Sequence, residues 1–198
     1  DHSIWDPQIN EFDNTVLIYD ILGHGKTPLN KNDLGFDDFS DQILNLMDEL
    51  KFNKVHLVGF SIGSLIARNF ATRFNDRLAS LTLLCSIFNR SDKEQKIVND
   101  RFEQTKKDHK LTKDALKRWF TEDFLNKNPD ISDKIFTILQ NNNMNNFIKI
   151  YSLFVKHQDN EKFENIKTKT LVITGEGDVG STPAVSYTHL RAHETAQY

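Results

Sequence analysis

The feature that most constrains this chain is the run Gly59-Phe60-Ser61-Ile62-Gly63 together with what stands on either side of it. Before it, residues 54–60 read as a buried strand in which Val55, Leu57 and Val58 flank His56. After it, Leu65, Ile66, Phe70 and Ala71 recur at helical spacing. A serine between two glycines at such a junction belongs on a very tight strand-to-helix turn. The backbone there is strained, and flanking side chains would collide with the adjacent strand and helix. The turn sets the Ser61 hydroxyl at the carboxyl edge of a sheet, where open parallel sheets bind ligands. It also sets the Ile62 backbone N–H at a helix start, oriented to stabilise negative charge on a carbonyl oxygen.

The surrounding sequence supplies the rest of such a sheet. Residues 14–21 carry Val16, Leu17, Ile18 and Tyr19 and run into Leu22-Gly23-His24-Gly25, so they read as a buried strand ending in a glycine turn. Asp38 is placed to cap a helix whose apolar face is Phe39, Ile43, Leu46, Met47 and Leu50. Residues 78–85 read as a further strand. Strands alternating with helices predict a parallel sheet covered on both faces, with right-handed crossovers.

From residue 89 to about 162 the pattern is helical only. Leu116, Trp119, Phe120 and Phe124 form one stripe behind a possible Thr112 cap, and Ile135, Phe136, Ile138 and Leu139 form another behind Ser132. Phe147, Ile148, Tyr151, Phe154 and Val155 form a third. The asparagine-rich tract 140–146 reads as the turn between two of these helices. Residues 168–174 return to strand character and end in Gly175-Glu176-Gly177-Asp178.

A serine hydroxyl is a poor nucleophile until a base takes its proton, so a histidine and an orienting carboxylate should accompany Ser61. Asp178 fits the carboxylate, because it stands just beyond the carboxyl end of the strand containing Leu171, Val172 and Ile173. Glu176 is the weaker candidate, being still close to the strand end. Gly175 to Thr182 imitates a phosphate-binding loop, but Ser181 occupies the place where a lysine must neutralise phosphate charge. The seven histidines are His2, His24, His56, His109, His157, His189 and His193. They show no metal-binding spacing; His56 reads as packing within its strand and His24 as part of a turn.

Composition narrows the partners. With 25 basic and 28 acidic side chains and a net charge of -3, the lysines are balanced by neighbouring acids and no basic face suits nucleic acid. The apolar runs fall short of the roughly 20 residues that span a bilayer and no charged leader precedes them, so the expected location is cytoplasmic. The single cysteine, Cys85, excludes an internal disulfide and a thiolate-rich metal site and reads as a buried small hydrophobe.

On these features the chain resembles α/β-hydrolase fold enzymes, and among them the 3-oxoadipate enol-lactonase-like serine esterases, over about residues 2 to 184. The segments that carry the resemblance are His2 to Gln8, Tyr19 to Thr27, Gly59 to Gly63, Arg118-Trp119-Phe120-Thr121 and Leu171 to Asp178. The resemblance implies an α/β chain, a partial α/β-hydrolase fold with a mostly parallel sheet flanked by helices and an inserted helical cap. It divides the chain into a first core part at 1–88 whose N-terminal strands are missing, a cap at 89–162, a core return with the acid loop at 163–184, and a non-native tail at 185–198. That tail resembles a translated sequencing adapter, so this chain is expected to be a fragment, inactive by itself, that ends before the catalytic histidine.

By the same resemblance Ser61 is the nucleophile and Asp178 the acid. Ile62 supplies half of the oxyanion hole, Gly59, Phe60 and Gly63 form the nucleophile elbow, and Trp119 contacts substrate from the cap. The implied reaction is hydrolysis of a small carboxylic ester or lactone through an acyl-enzyme, with no cofactor, metal, nucleic acid or membrane partner. The alternative is a catalytically silent hydrolase-like module that binds a ligand or a protein.

Overall fold

The computed structural model describes residues 1–157, 165–178 and 181. The chain divides into two compact units, one of residues 1–33 and 97–155 and the other of residues 34–96 and 156–198. In chain order the main elements are α1 (Asp6–Ile9), α2 (Phe36–Glu49), β1 (Val55–Phe60), α3 (Ile62–Arg73), β2 (Leu78–Leu84) and α4 (Asp92–Asp108). They continue as α5 (Asp114–Trp119), α6 (Glu122–Lys127), α7 (Pro129–Gln140), α8 (Met144–Lys156) and β3 (Thr170–Ile173).

The unit that carries Ser61 is built on three parallel strands in the order β1-β2-β3, with Phe60 opposite Leu84 and Leu84 opposite Ile173 in the last row. Helix α3 packs on β1 and β2, and α2 packs on α3. Alternation along the strands explains the burial. Leu81 and Leu83 are buried with Leu65, Ile66, Phe70 and Ala71 of α3, and Phe39, Ile43 and Met47 of α2 close that layer. The opposite face carries Val58 and Phe60 of β1 and Leu171 and Ile173 of β3, all exposed. Two-sided cover was expected from the alternation of strands and helices; among the described residues one face has it. His56 lies on the uncovered face, hydrogen-bonded to Ser80 Oγ at 2.7 Å, so it does not serve as packing.

Helix α2 starts three residues earlier than a cap at Asp38 would set it. Asp38 is its third residue, and the carboxylate reaches back to accept the Gly35 N–H at 2.8 Å.

The expected fold class needs correction. No strand forms over residues 14–21, so the sheet of the described residues is open and three-stranded. Val16 and Leu17 are exposed, and the segment is held near its end by the carboxylate of Asp20 rather than by a strand ladder. Nor do the helices after β2 stand as an insert of their own, since residues 97–155 cluster with residues 1–33. What the sequence read as a partial hydrolase sheet with an inserted cap is a three-stranded parallel sheet with flanking helices in one unit, and a set of helices that clusters with residues 1–33 in the other.

Within that helical unit the apolar stripes cover one another. Ala115 and Leu116 of α5 and Leu139 of α7 are buried, with Phe120, Leu125, Ile135 and Phe136 packed against them. Tyr151 meets Phe102 edge-on at 5.5 Å between ring centroids and lies beside Phe147 and Phe154 on α8. Two capping expectations change. Thr112 contributes its carbonyl, which accepts the Ala115 N–H at 3.0 Å, and Ser132 lies inside α7, which begins at Pro129. Of the tract 140–146 only residues 141–143 form the turn between α7 and α8; Gln140 ends α7, and Met144, Asn145 and Asn146 open α8. The supposed tail at 185–198, with His189 and His193, lies outside the described residues.

Candidate active site

Ser61 caps α3 with φ 53° and ψ -118°, a backbone conformation that L residues rarely adopt. Three bonds hold it there. Its N–H donates to the Leu84 carbonyl at the end of β2 at 2.9 Å, and its own carbonyl accepts the Ser64 N–H at 2.9 Å and the Ser64 hydroxyl at 2.5 Å. Ser64 is fully buried.

The two glycines of the turn differ. A Cβ on Gly59 would come within 2.3 Å of the Gly63 carbonyl oxygen and 2.9 Å of Ala67 Cβ, whereas one on Gly63 would meet nothing within 4 Å. The collision expected at both positions is therefore real at the first only, where the strand backbone runs against the first turn of α3. Ile62 is the first residue of α3, so its N–H has no acceptor one turn back within the helix. Phe60, at 44 % exposure, stands on the uncovered sheet face just before Ser61.

Asp178 lies past the end of β3. Its N–H closes a turn onto the Gly175 carbonyl at 3.0 Å, and its Oδ1 accepts the Ser181 N–H at 2.8 Å. The Cys85 thiol is within hydrogen-bonding reach of the same carboxylate; burial first, and then this bond, push the thiol pKa up. Ladder register places Ser61, Cys85 and Thr174 one residue beyond the last paired row, on adjacent strands of one sheet edge. Ser61 and the Asp178 loop thus share that edge, two strands apart. Glu176 is exposed in the same loop.

The remaining candidates are elsewhere. Trp119 ends α5 in the helical unit and is 56 % exposed. Of the described histidines in the Ser61 unit, His56 is near the amino end of β1, at the far end of the strand from Ser61, and His157 packs edge-on against Phe36 at 5.4 Å. No group of three described His, Cys, Asp or Glu side chains is placed to hold a metal ion. No helix of the described residues is long and apolar enough to cross a membrane.

The sequence missed one organised cluster, in the helical unit. Asp20 is 7 % exposed and accepts the His2 N–H at 2.7 Å, His2 Nδ1 at 2.8 Å and the Lys26 N–H at 2.9 Å. Burial alone raises its pKa, but these bonds and the His2 charge outweigh that and leave it lowered. The Gly23-His24-Gly25 turn wraps the carboxylate: Gly25 has φ +52°, and a Cβ there would overlap Asp20 Oδ2. His24 is part of this turn, and burial lowers its pKa. The signal available was an acid at the end of an apolar run followed by Gly-x-Gly.

Residues 2–191 match the family model described as alpha/beta hydrolase fold. The chain belongs to the α/β hydrolase fold family. The match passes residue 184, where the resemblance was expected to end. Among its relatives is the (E)-2-((N-methylformamido)methylene)succinate hydrolase of Acinetobacter baylyi, 28 % identical over 97 % of this chain and 74 % of that protein. The 3-oxoadipate enol-lactonase 1 of the same organism is 26 % identical over 92 % of this chain and 69 % of its own length. Among solved structures, the enol-lactonase of Burkholderia xenovorans LB400 superposes with a TM-score of 0.84 at 25 % identity, covering 97 % of this chain and 75 % of that one. This member of the family is thus homologous, at low identity, to enol-lactonase-like esterases, and that homology supports hydrolase activity in general.

Proposed function

We propose that the chain acts as a serine hydrolase on a small carboxylic ester or lactone. The observation that carries this reading is the backbone of Ser61, held at φ 53° between strand and helix with its N–H tied to β2. Such strain persists only where surrounding structure enforces it, and it is concentrated at working residues. Ser61 attacks the acyl carbon, its hydroxyl proton passing to a histidine base. The Ile62 N–H stabilises the oxyanion, the alkoxide leaves with that proton, and water then frees the acyl group. Asp178, two strands away on the same edge, orients the base. Trp119 is the substrate-contact candidate, and the relatives named as lactonase and hydrolase support the ester or lactone class.

The test is covalent labelling by a fluorophosphonate probe together with p-nitrophenyl acetate hydrolysis. Ser61→Ala is expected to abolish labelling and to lower kcat on the order of 10⁶-fold. Replacing each of the seven histidines in turn tests whether the base is one of them. Equal labelling of wild type and Ser61→Ala refutes the assignment, and ester binding with no labelling at Ser61 indicates a silent binding module instead.

A further inference from the structure

We propose that Ser181 is the positioning residue of the acid loop, fixing the Asp178 carboxylate and tying it to the strand whose end holds Ser61. This rests on Asp178 being the orienting acid. Ser181 stands where a phosphate loop would carry lysine, and it is 4 % exposed, unusual for a serine in a glycine-rich loop. Every polar group it has is used. Its N–H donates to Asp178 Oδ1 at 2.8 Å, its hydroxyl donates to the Cys85 carbonyl at 2.8 Å, and its carbonyl accepts the Thr174 hydroxyl.

The hydroxyl bond has a clear cause. Cys85 donates its N–H to Ile173 at 2.9 Å and then turns away with φ 49°, so its carbonyl lies beyond the last ladder pair. A part-buried carbonyl without a ladder partner is stabilised by a donor, and Ser181 Oγ supplies one. The preceding carbonyl, Leu84, accepts the Ser61 N–H. Successive carbonyls of one strand end therefore anchor the nucleophile turn and, through Ser181, the acid loop. Thr174 binds the loop's far end back to the end of β3, which pins Asp178 from both sides.

Ser181→Ala keeps the backbone bond to Asp178 but removes the anchor on Cys85. A carboxylate displaced by even a fraction of an ångström no longer holds the imidazole in line. The expected result is a fall in kcat of roughly ten- to a hundredfold, with KM changed by less than about twofold. The acid limb of the kcat/KM profile should move to lower pH, because a nearby carboxylate raises a histidine pKa and its displacement lowers it. Ser181→Thr, which keeps the hydroxyl, should restore both rate and profile. A wild-type rate and acid limb in Ser181→Ala, while Asp178→Asn loses about 10⁴ in kcat, overturns the positioning role alone. A near wild-type rate in Asp178→Asn overturns the acid assignment beneath it.

Discussion

The two units of this chain are organised by different means. Around Ser61, parallel ladders and the burial of Leu81, Leu83, Leu65 and Phe70 define the structure, and the polar contacts decorate a frame already set by apolar periodicity. In the stretch that leads the helical unit, one carboxylate does that work. Asp20 gathers two backbone N–H groups and an imidazole, and the glycine turn is shaped to fit against it. A frame of the first kind should fail when volume is added to it, and one of the second kind when its acceptor is removed.

The largest effect on stability is expected from Gly59→Ala. Its Cβ would strike the Gly63 carbonyl, which is backbone and cannot rotate away. A loss of about 3 kcal/mol or more follows, read as a lower urea midpoint in far-UV circular dichroism. A midpoint equal to wild type would show that the turn is softer than its geometry implies.

Asp20→Ala comes next. It leaves the His2 and Lys26 N–H groups without their acceptor, at a cost of about 2 kcal/mol. Both tryptophans, Trp5 and Trp119, belong to the helical unit, so indole emission reports on it directly. The pH dependence has a definite sign. His24 has a folded pKa below its ordinary 6.5, so as pH falls below that value the unfolded chain takes up a proton that the folded one refuses, and stability declines. The lowered pKa of Asp20 adds a second loss as pH falls below about 3.8. In Asp20→Ala the second step should vanish and the first remain. Identical acid limbs in the two proteins would remove Asp20 from the account.

What the sequence revealed divides along the same line. Helix and strand around Ser61 were legible because Val55, Leu57, Leu65, Ile66 and Phe70 repeat at the periods their elements require. The position of Asp178 past a strand end was legible because a glycine-rich loop follows an apolar run. The segment 14–21 was misread for the same reason: Val16 to Tyr19 has strand composition, but a strand exists only where a neighbour pairs with it, and pairing is not written in one segment. The parts played by Asp20 and Ser181 escaped notice because their partners at His2 and Cys85 are distant in sequence, which no periodicity records. The open face of the sheet was likewise invisible, since Val58 and Ile173 are as apolar as residues that are covered.

The smallest effect is expected from Gly63→Ala. The added methyl meets open space and the residue has an ordinary helical backbone, so stability should change by less than about 1 kcal/mol, toward greater stability. A loss as large as that of Gly59→Ala, measured by the same urea titration, would make the two glycines equivalent after all.

Their inequality bears on how such turns diverge. A lineage carrying this motif is free to drift at residue 63 toward alanine or serine without moving the hydroxyl of Ser61, but is locked at residue 59. Searches that demand both glycines will overlook descendants that kept the turn, whereas a chain that has lost the first has lost it. For redesign, residue 63 is the place beside Ser61 where a new side chain can be introduced without disturbing the backbone that presents the hydroxyl.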